Sequence, residues 1–483
     1  MILAALLFAT IPQQVDQTFA TAFEKSHAPG AVLGIIVDGK LAYVKTAGIR
    51  DVATKAPVTE DTRFRIASMT KGFTAMSILK LRDAGKLQLD DAAAKYIPEL
   101  ASLKYPTTDS PVITIRMLLN HAEGFPEDNP WGDRQLAQTN ETLSAWMKAG
   151  IPFSRSPGIA YEYSNYGFAI LGQIVERVSG MPYKTYVTEN ILKPLGMTSS
   201  TFDMDSIPKD KIAYGYRWED NVWKPEPILP HGAFGSMGGL WTTVGDLSKY
   251  VSFLLSAFPP RDDPETGPIR RASAREMQQA WRFAGAAMRT NPQRLSVAAY
   301  AYGLRIAVNC DFSYIVTHGG GLPGYGSLET WLPDYNAGVI TFTNETYTNI
   351  GDIHNDILTS LQLQKRAAVP SPALLQAKND VSSLIEHWDQ QLADRIVASN
   401  FFLDQNPEQR QKHYSDLAAQ HGVCHADPEI DAENALRGTW RMTCERGFFW
   451  VRTTLAPTMP PKVQSVGIAE QAPPPPAACR PAS

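Results

Sequence analysis

The chain has 483 residues, of which 44% are hydrophobic and 19% charged, and a formal net charge of −4. That length allows two to four domains with a sizeable core. The slightly acidic balance without basic runs argues against a nucleic-acid partner, and no apolar run is long enough to span a bilayer, so no membrane span is expected.

Residues 1–14 open with Met1-Ile2-Leu3-Ala4-Ala5-Leu6-Leu7-Phe8-Ala9, which reads as the apolar part of a secretory leader, although no Lys or Arg precedes Lys25. A periplasmic or secreted protein is expected. A short amphipathic helix over 15–23 ends before Pro29-Gly30. Strands over 31–37 and 40–46 are joined by Asp38-Gly39, a strong hairpin signal. Next comes Ser68-Met69-Thr70-Lys71, at the start of a helical pattern in which Phe73, Met76 and Leu79 share a face and Gly85 is the stop. A short helix over 114–121 runs into the turn Gly124-Phe125-Pro126. Tyr163-Ser164-Asn165 enters a helix over 168–178, and the glycine-rich stretch from Gly235 precedes a helix over 247–257.

From 301 onward the pattern changes to strands over 302–308, 314–318, 327–332 and 338–343, followed by a helix over 350–363. These elements predict an α+β fold, an α/β sandwich over 15–365. One antiparallel sheet is built from both ends of the domain and flanked by its N- and C-terminal helices, with the long middle as a helical insertion. A Pro-containing linker over 366–373 leads to a small α+β domain over 374–470. Trp440, Phe448 and Trp450 are expected in its core, and a Pro-rich tail over 471–483 is expected to be disordered. The small domain faintly resembles helix-plus-curved-sheet units of the ketosteroid-isomerase type, from which no activity is carried over.

Three stretches carry possible chemistry. Ser68 and Lys71 stand three apart, on one helix face, so the lysine reaches the serine hydroxyl and can make it a nucleophile. Ser206-Ile207-Pro208-Lys209 repeats the spacing, but Pro208 spoils a helix there. Tyr163 can serve as a general base if its pKa is lowered, and the Asn165 amide can bind a substrate amide. Tyr347-Thr348-Asn349 has the same spelling, so the spelling alone decides nothing. Thr317-His318-Gly319-Gly320-Gly321 ends a strand, and glycines there let a substrate lie close and an N–H face an oxyanion.

Other chemistries find little support. Cys310, Cys424, Cys444 and Cys479, like His231 and His354, lack metal-ligand spacing, so no metal and no cofactor is expected. Cys424 and Cys444 fall in one late segment, as a disulfide in an exported protein or as two buried thiols. There is no Gly-x-Ser-x-Gly elbow, and the triple glycine lacks the Lys-Ser/Thr of a phosphate loop.

Taken together and in this order, Ser68-Met69-Thr70-Lys71, Tyr163-Ser164-Asn165 and His318-Gly319-Gly320 resemble the serine β-lactamase and penicillin-binding protein family. The resemblance is to its class C-like branch, with D,D-peptidase and esterase relatives. It covers about 15–365, with support from Leu118-Leu119-Asn120-His121, Pro194-Leu195-Gly196-Met197 and Gly238-Gly239-Leu240. It implies that Ser68 is acylated, that Lys71 and Tyr163 share the proton transfers with Tyr163 as base, and that Asn165 holds the substrate's amide or acyl side. The oxyanion hole would combine the N–H of Ser68 with that of Gly321, or of Gly320 in the neighbouring register. His121 would have a structural role. One departure is His318, where β-lactamases of this branch carry lysine. A histidine that is mostly neutral at pH 7 fits a peptidase or esterase better than an efficient β-lactamase, and it would make turnover sensitive to its own titration. The expected substrate is a small amide, peptide or ester. The alternatives are a penicillin-acylated D,D-carboxypeptidase, a true β-lactamase, or a non-catalytic penicillin-type binding or sensing protein.

Overall fold

The computed structural model describes residues 2–290 and 293–471, so the Pro-rich tail lies, but for its first residue, outside the described residues. The chain divides into two compact units, Met1–Gln364 and Lys365–Ser483.

The first unit is built on a nine-stranded antiparallel sheet. Its order is Ala56–Pro57, Lys40–Asp51, Gly30–Val37, Ala337–Thr343, Tyr325–Leu332, Ile315–Leu322, Arg305–Val308, Gln293–Tyr300 and Arg282–Thr290. The N-terminal hairpin therefore joins the C-terminal meander edge to edge, through pairs such as Leu33 with Thr341. Alternation along Gly30–Val37 sends Val32 and Ile36 to one face and Ala31, Leu33 and Ile35 to the other. The second face is covered by helix Ile2–Ser26, through Val15 and Phe19, and by helix Ile353–Ser360. The first face is covered by the helical insertion. Helix Thr70–Asp83 is buried on nearly all sides, which suits an interior element.

The last two strands of the sheet were not foreseen. Arg282–Thr290 and Gln293–Tyr300 form an edge hairpin that leaves Phe283, Met288 and Leu295 exposed. An alanine- and arginine-rich edge pair has no clean apolar-in, polar-out alternation to read. No described helix is long and apolar enough to cross a membrane.

The second unit packs helices Pro372–Glu386, Gln390–Ile396 and Pro407–His421 with a five-stranded sheet around Leu374, Trp440, Met442 and Phe449. Asn406 caps the last of these helices in a capping box with Gln409, with Pro407 at the first helical position. Trp440 is core, but Phe448 is 46% exposed, because alternation along Gly447–Leu455 turns it outward. Cys424 and Cys444 sit opposite each other on adjacent strands and are disulfide-bonded. The bond closes a sequence separation of 20 residues, which corresponds to about 3 kcal/mol of loop-closure entropy. Cys424→Ser with Cys444→Ser, in the full chain, is expected to lower the unfolding free energy of this unit by about that amount. Urea unfolding with and without reductant checks it, and a midpoint indifferent to both would contradict it.

Candidate active site

The serine turn is held from several sides. The Ile66 N–H donates to the Leu240 carbonyl at 3.0 Å, and the Ile66 carbonyl accepts from Ser327 Oγ at 2.9 Å. Ala67, directly before the serine, has φ of +49°, a left-handed conformation that costs a non-glycine residue energy. The turn and strand Ile315–Leu322 come together at Gly320, where an added Cβ would lie 2.2 Å from the Ile66 carbonyl oxygen. Gly320 therefore permits close packing, while Gly319 and Gly321 line the cavity beside Ser68. Of the two registers expected for the oxyanion donor, this arrangement favours Gly321.

Lys71 is completely buried. Its Nζ donates to Ser68 Oγ at 2.9 Å, to Asn165 Oδ1 at 2.7 Å and to the Met237 carbonyl at 3.0 Å. Burial pulls its pKa down to about 7, against the opposing pull of Asp133 and Asp128. Tyr163 Oη donates to Ser68 Oγ at 2.8 Å. Burial raises the Tyr163 pKa well above 10, and Asp133 adds to the effect. The two partners of the serine are thus driven apart, the lysine toward its neutral base and the tyrosine toward its neutral acid.

Asn165 makes contacts that the sequence does not foretell. It is fully buried, with Oδ1 on Lys71 and Nδ2 donating to Asn129 Oδ1 at 2.7 Å. The amide orients the lysine instead of facing the cavity. It is fixed by its place at the start of helix Asn165–Ser179. Asp128 accepts from the N–H groups of Asn165 and Tyr166, both at 2.8 Å, and Ser164 Oγ accepts from Gly167 N–H.

His318 is also held differently from the expectation. Nδ1 bonds the Gly319 carbonyl at 2.7 Å, so this nitrogen carries the proton, and Nε2 accepts from Tyr300 Oη at 2.9 Å. Burial, with Lys71 and Arg305 nearby, pushes its pKa down to about 3. His318 is neutral throughout the working range and cannot time turnover by its own titration. His121 is buried, with Nδ1 accepting from the Ser164 N–H at 3.1 Å and its ring 4.5 Å from that of Tyr163.

The cavity in front of Ser68 measures about 610 Å³. Three of its residues are not assigned to the site by the sequence. Asp133 is 2% exposed and accepts from Tyr347 Oη at 3.2 Å, and burial raises its pKa to about 6. Tyr347, whose spelling looked like a decoy, lies against Gly321. Arg305 pairs across the sheet with Thr317, next to His318, and donates to Tyr161 Oη at 3.1 Å. No carboxylate lies within ion-pair distance of it among the described residues. Its place at the strand that carries His318 follows from the pairing of Arg305 with Thr317, a register the sequence does not print. Among the described residues no cluster has the makings of a metal site.

The family model described as Beta-lactamase matches residues 15–364. The chain belongs to the beta-lactamase family. Among curated relatives it is 29% identical to Protein flp of Staphylococcus aureus (strain COL) over 372 residues, covering 76% of this chain and 70% of that protein. It is 32% identical to Beta-lactamase-like protein 2 of Dictyostelium discoideum over 267 residues, 53% of this chain and 47% of that one. The fold is that of an octameric penicillin-binding protein homologue from Pyrococcus abyssi, with a TM-score of 0.60 at 23% identity over 93% of this chain and 91% of that chain. A penicillin binding protein from Bacillus halodurans gives 0.56 at 24% identity over 71% and 98%. Membership supports a serine hydrolase in general.

A lysine with a pKa near 7 gives the site a testable pH signature. The rate of serine acylation is expected to rise as pH increases through about 7, where Lys71 loses its proton. The negative charge of Asp133 holds that pKa up, so Asp133→Asn should move the rising limb to lower pH. Labelling by a fluorophosphonate, followed against pH, measures both, and an Asp133→Asn limb at unchanged or higher pH would refute the assignment.

Proposed function

We propose that the protein is a serine hydrolase that cleaves an amide or ester through an acyl-enzyme on Ser68, as a peptidase or esterase and not an efficient β-lactamase. The observation that carries this is the triangle of Ser68 Oγ, Lys71 Nζ and Tyr163 Oη, with bonds of 2.9 and 2.8 Å to the serine and opposite pKa displacements on its two partners.

In this reading neutral Lys71 takes the Ser68 proton as Oγ attacks the carbonyl. The N–H groups of Ser68 and Gly321 receive the developing oxyanion. Tyr163 gives its proton to the leaving nitrogen or oxygen as that bond breaks, and is reprotonated from Lys71. Deacylation runs the same steps backward with water in place of the leaving group, so the site returns to its starting protonation. Tyr163, expected as the base, acts here as the acid in acylation and, with the steps reversed, as the base that activates water in deacylation. A tyrosine whose pKa is raised gives a proton only where the leaving group becomes strongly basic, which an amine or alkoxide does.

Arg305 supports the choice among substrates. A lysine in the third motif would supply fixed positive charge for a substrate carboxylate, and His318, neutral, does not. Arg305 places a permanent charge on the same wall of the cavity. A leaving group that ends in a carboxylate, such as the C-terminal residue of a short peptide, fits it.

Ser68→Ala is expected to abolish fluorophosphonate labelling and all turnover of short esters and D-Ala-D-Ala peptides. Labelling that survives it would sink the nucleophile. Arg305→Ala is expected to raise KM about 10-fold or more for carboxylate-bearing substrates, while neutral esters keep their kinetics. Equal losses on both classes would argue against a carboxylate anchor. The rival reading, a non-catalytic penicillin binder, requires labelling by a fluorescent penicillin without turnover of any of these substrates.

A further inference from the structure

We propose that a second, aromatic pocket beside the catalytic cavity receives an uncharged apolar acyl group of the substrate. This rests on the acyl-enzyme reading and names the acyl side that the catalytic residues leave open.

The pocket measures about 470 Å³, and its walls include Phe125, Trp131, Trp146, Ile151, Pro152 and Tyr166. Trp131 stacks with Tyr166, 6.4 Å between ring centroids and 8° from parallel, and meets Trp146 at 5.5 Å. Tyr166 is 8% exposed, and its hydroxyl is buried without a hydrogen-bond partner among the described residues. A buried tyrosine hydroxyl normally has a partner. Trp131 is 47% exposed, a large indole left half in water against the Tyr166 ring. An occupant with an apolar body would cover the indole.

The occupant is fixed by continuity with the catalytic cavity. Glu127 lines both cavities. The wall between them is one loop thick, with Asn129 and Asp133 on the catalytic side and Trp131 on the aromatic side. Between Trp131 and Asp133, Gly132 packs directly on Asn165, where an added Cβ would lie 2.8 Å from the Asn165 Cβ. Tyr166 is the residue after Asn165, whose amide holds Lys71. In this proposal a group extending from an acyl carbon on Ser68 passes the shared edge at Glu127 into this pocket, while Arg305 serves the leaving group. Charge excludes an anionic occupant. The lining has no basic residue, and Glu127 and Asp128 repel an anion such as a free fatty acid.

The test compares vinyl acetate with vinyl 4-phenylbutyrate, whose shared leaving group is not aromatic, by acid release in the full chain. Wild type is expected to show kcat/KM on the order of 10- to 50-fold higher for the aryl ester, as burial of a phenyl ring implies. Ala149→Arg places an exposed cation in the lining, and Trp131→Ala removes the stacking ring. Each is expected to bring the ratio close to one while acetate turnover persists. Equal kcat/KM for the two esters in wild type, or a preference that both variants keep, overturns the proposal. Calorimetry with 4-phenylbutyramide is independent of turnover. Ser68→Ala is expected to bind it about 10-fold tighter than Ser68→Ala with Trp131→Ala, and equal affinity also overturns the proposal. That binding difference without turnover in wild type supports the pocket and strikes the acyl-enzyme reading alone.

Discussion

The structure of the site depends on one constraint, a lysine taken wholly out of water without a carboxylate bound to it. Lys71 has neutral oxygens for all three of its hydrogen bonds, from Ser68, Asn165 and the Met237 backbone. Neutral acceptors satisfy its hydrogen-bonding capacity but compensate little of the cost of burying its charge. A carboxylate in the place of Asn165 would compensate it and would keep the amine protonated. Asn165 supplies the geometry of an acceptor without the charge, so the amine stays within reach of neutrality.

That choice has consequences along the chain. Asn165 must stand at the first turn of a helix, close to Lys71, and the helix start is secured from outside by Asp128 and from inside by Ser164. Asp128 also contributes negative potential where the helix N-terminus is positive, so the two compensate locally. Farther along the same turn, Gly167 leaves room for the buried Glu123, whose pKa is raised well above the usual carboxylate value by burial. A neutral acid there adds no charge to the surroundings of Lys71. The strand side is arranged in the same way. Burial, with Lys71 and Arg305 nearby, holds His318 neutral against the opposing pull of the Gly319 carbonyl, and so it does not compete with Lys71 as a cation.

The parts of this that were legible in the sequence are those encoded locally. The Asp38-Gly39 hairpin, the apolar meander strands and the Ser68–Lys71 spacing are short-range patterns, and the serine and lysine do lie together. The edge hairpin over 282–300 was missed because its exposed strands carry little periodicity. Asp133, Tyr347 and Arg305 were missed for a different reason. Each reaches the cavity through a tertiary relation, a loop laid over a helix start, a turn after the last strand and a cross-strand register, and none of these leaves a trace in neighbouring residues. The bond between Asn165 and Lys71 was not foreseen because the two residues are 94 apart. The titration of His318 was misjudged because composition says nothing about burial.

The charges that remain in the cavity are spatially sorted, and the sorting limits what the site can hold. Arg155 and Glu162 pair with each other, which leaves Arg305 beside His318 as the positive pole of the cavity and Asp133 beside Tyr347, with Glu127, as the negative one. Asp133 cannot collapse onto Lys71, because the Asn165 side chain is bonded to both, at 2.7 Å to the lysine and 3.5 Å to the carboxylate. The carboxylate therefore acts on the lysine through its field and not through a bond. A field effect of this kind opposes burial without cancelling it, which is why the lysine settles near 7 and not far below. A substrate that displaces water from the cavity strengthens every such field. Binding should then raise the influence of Asp133 on Lys71 and of Arg305 on the leaving group together, which ties the basicity of the nucleophile's partner to the occupancy of the site.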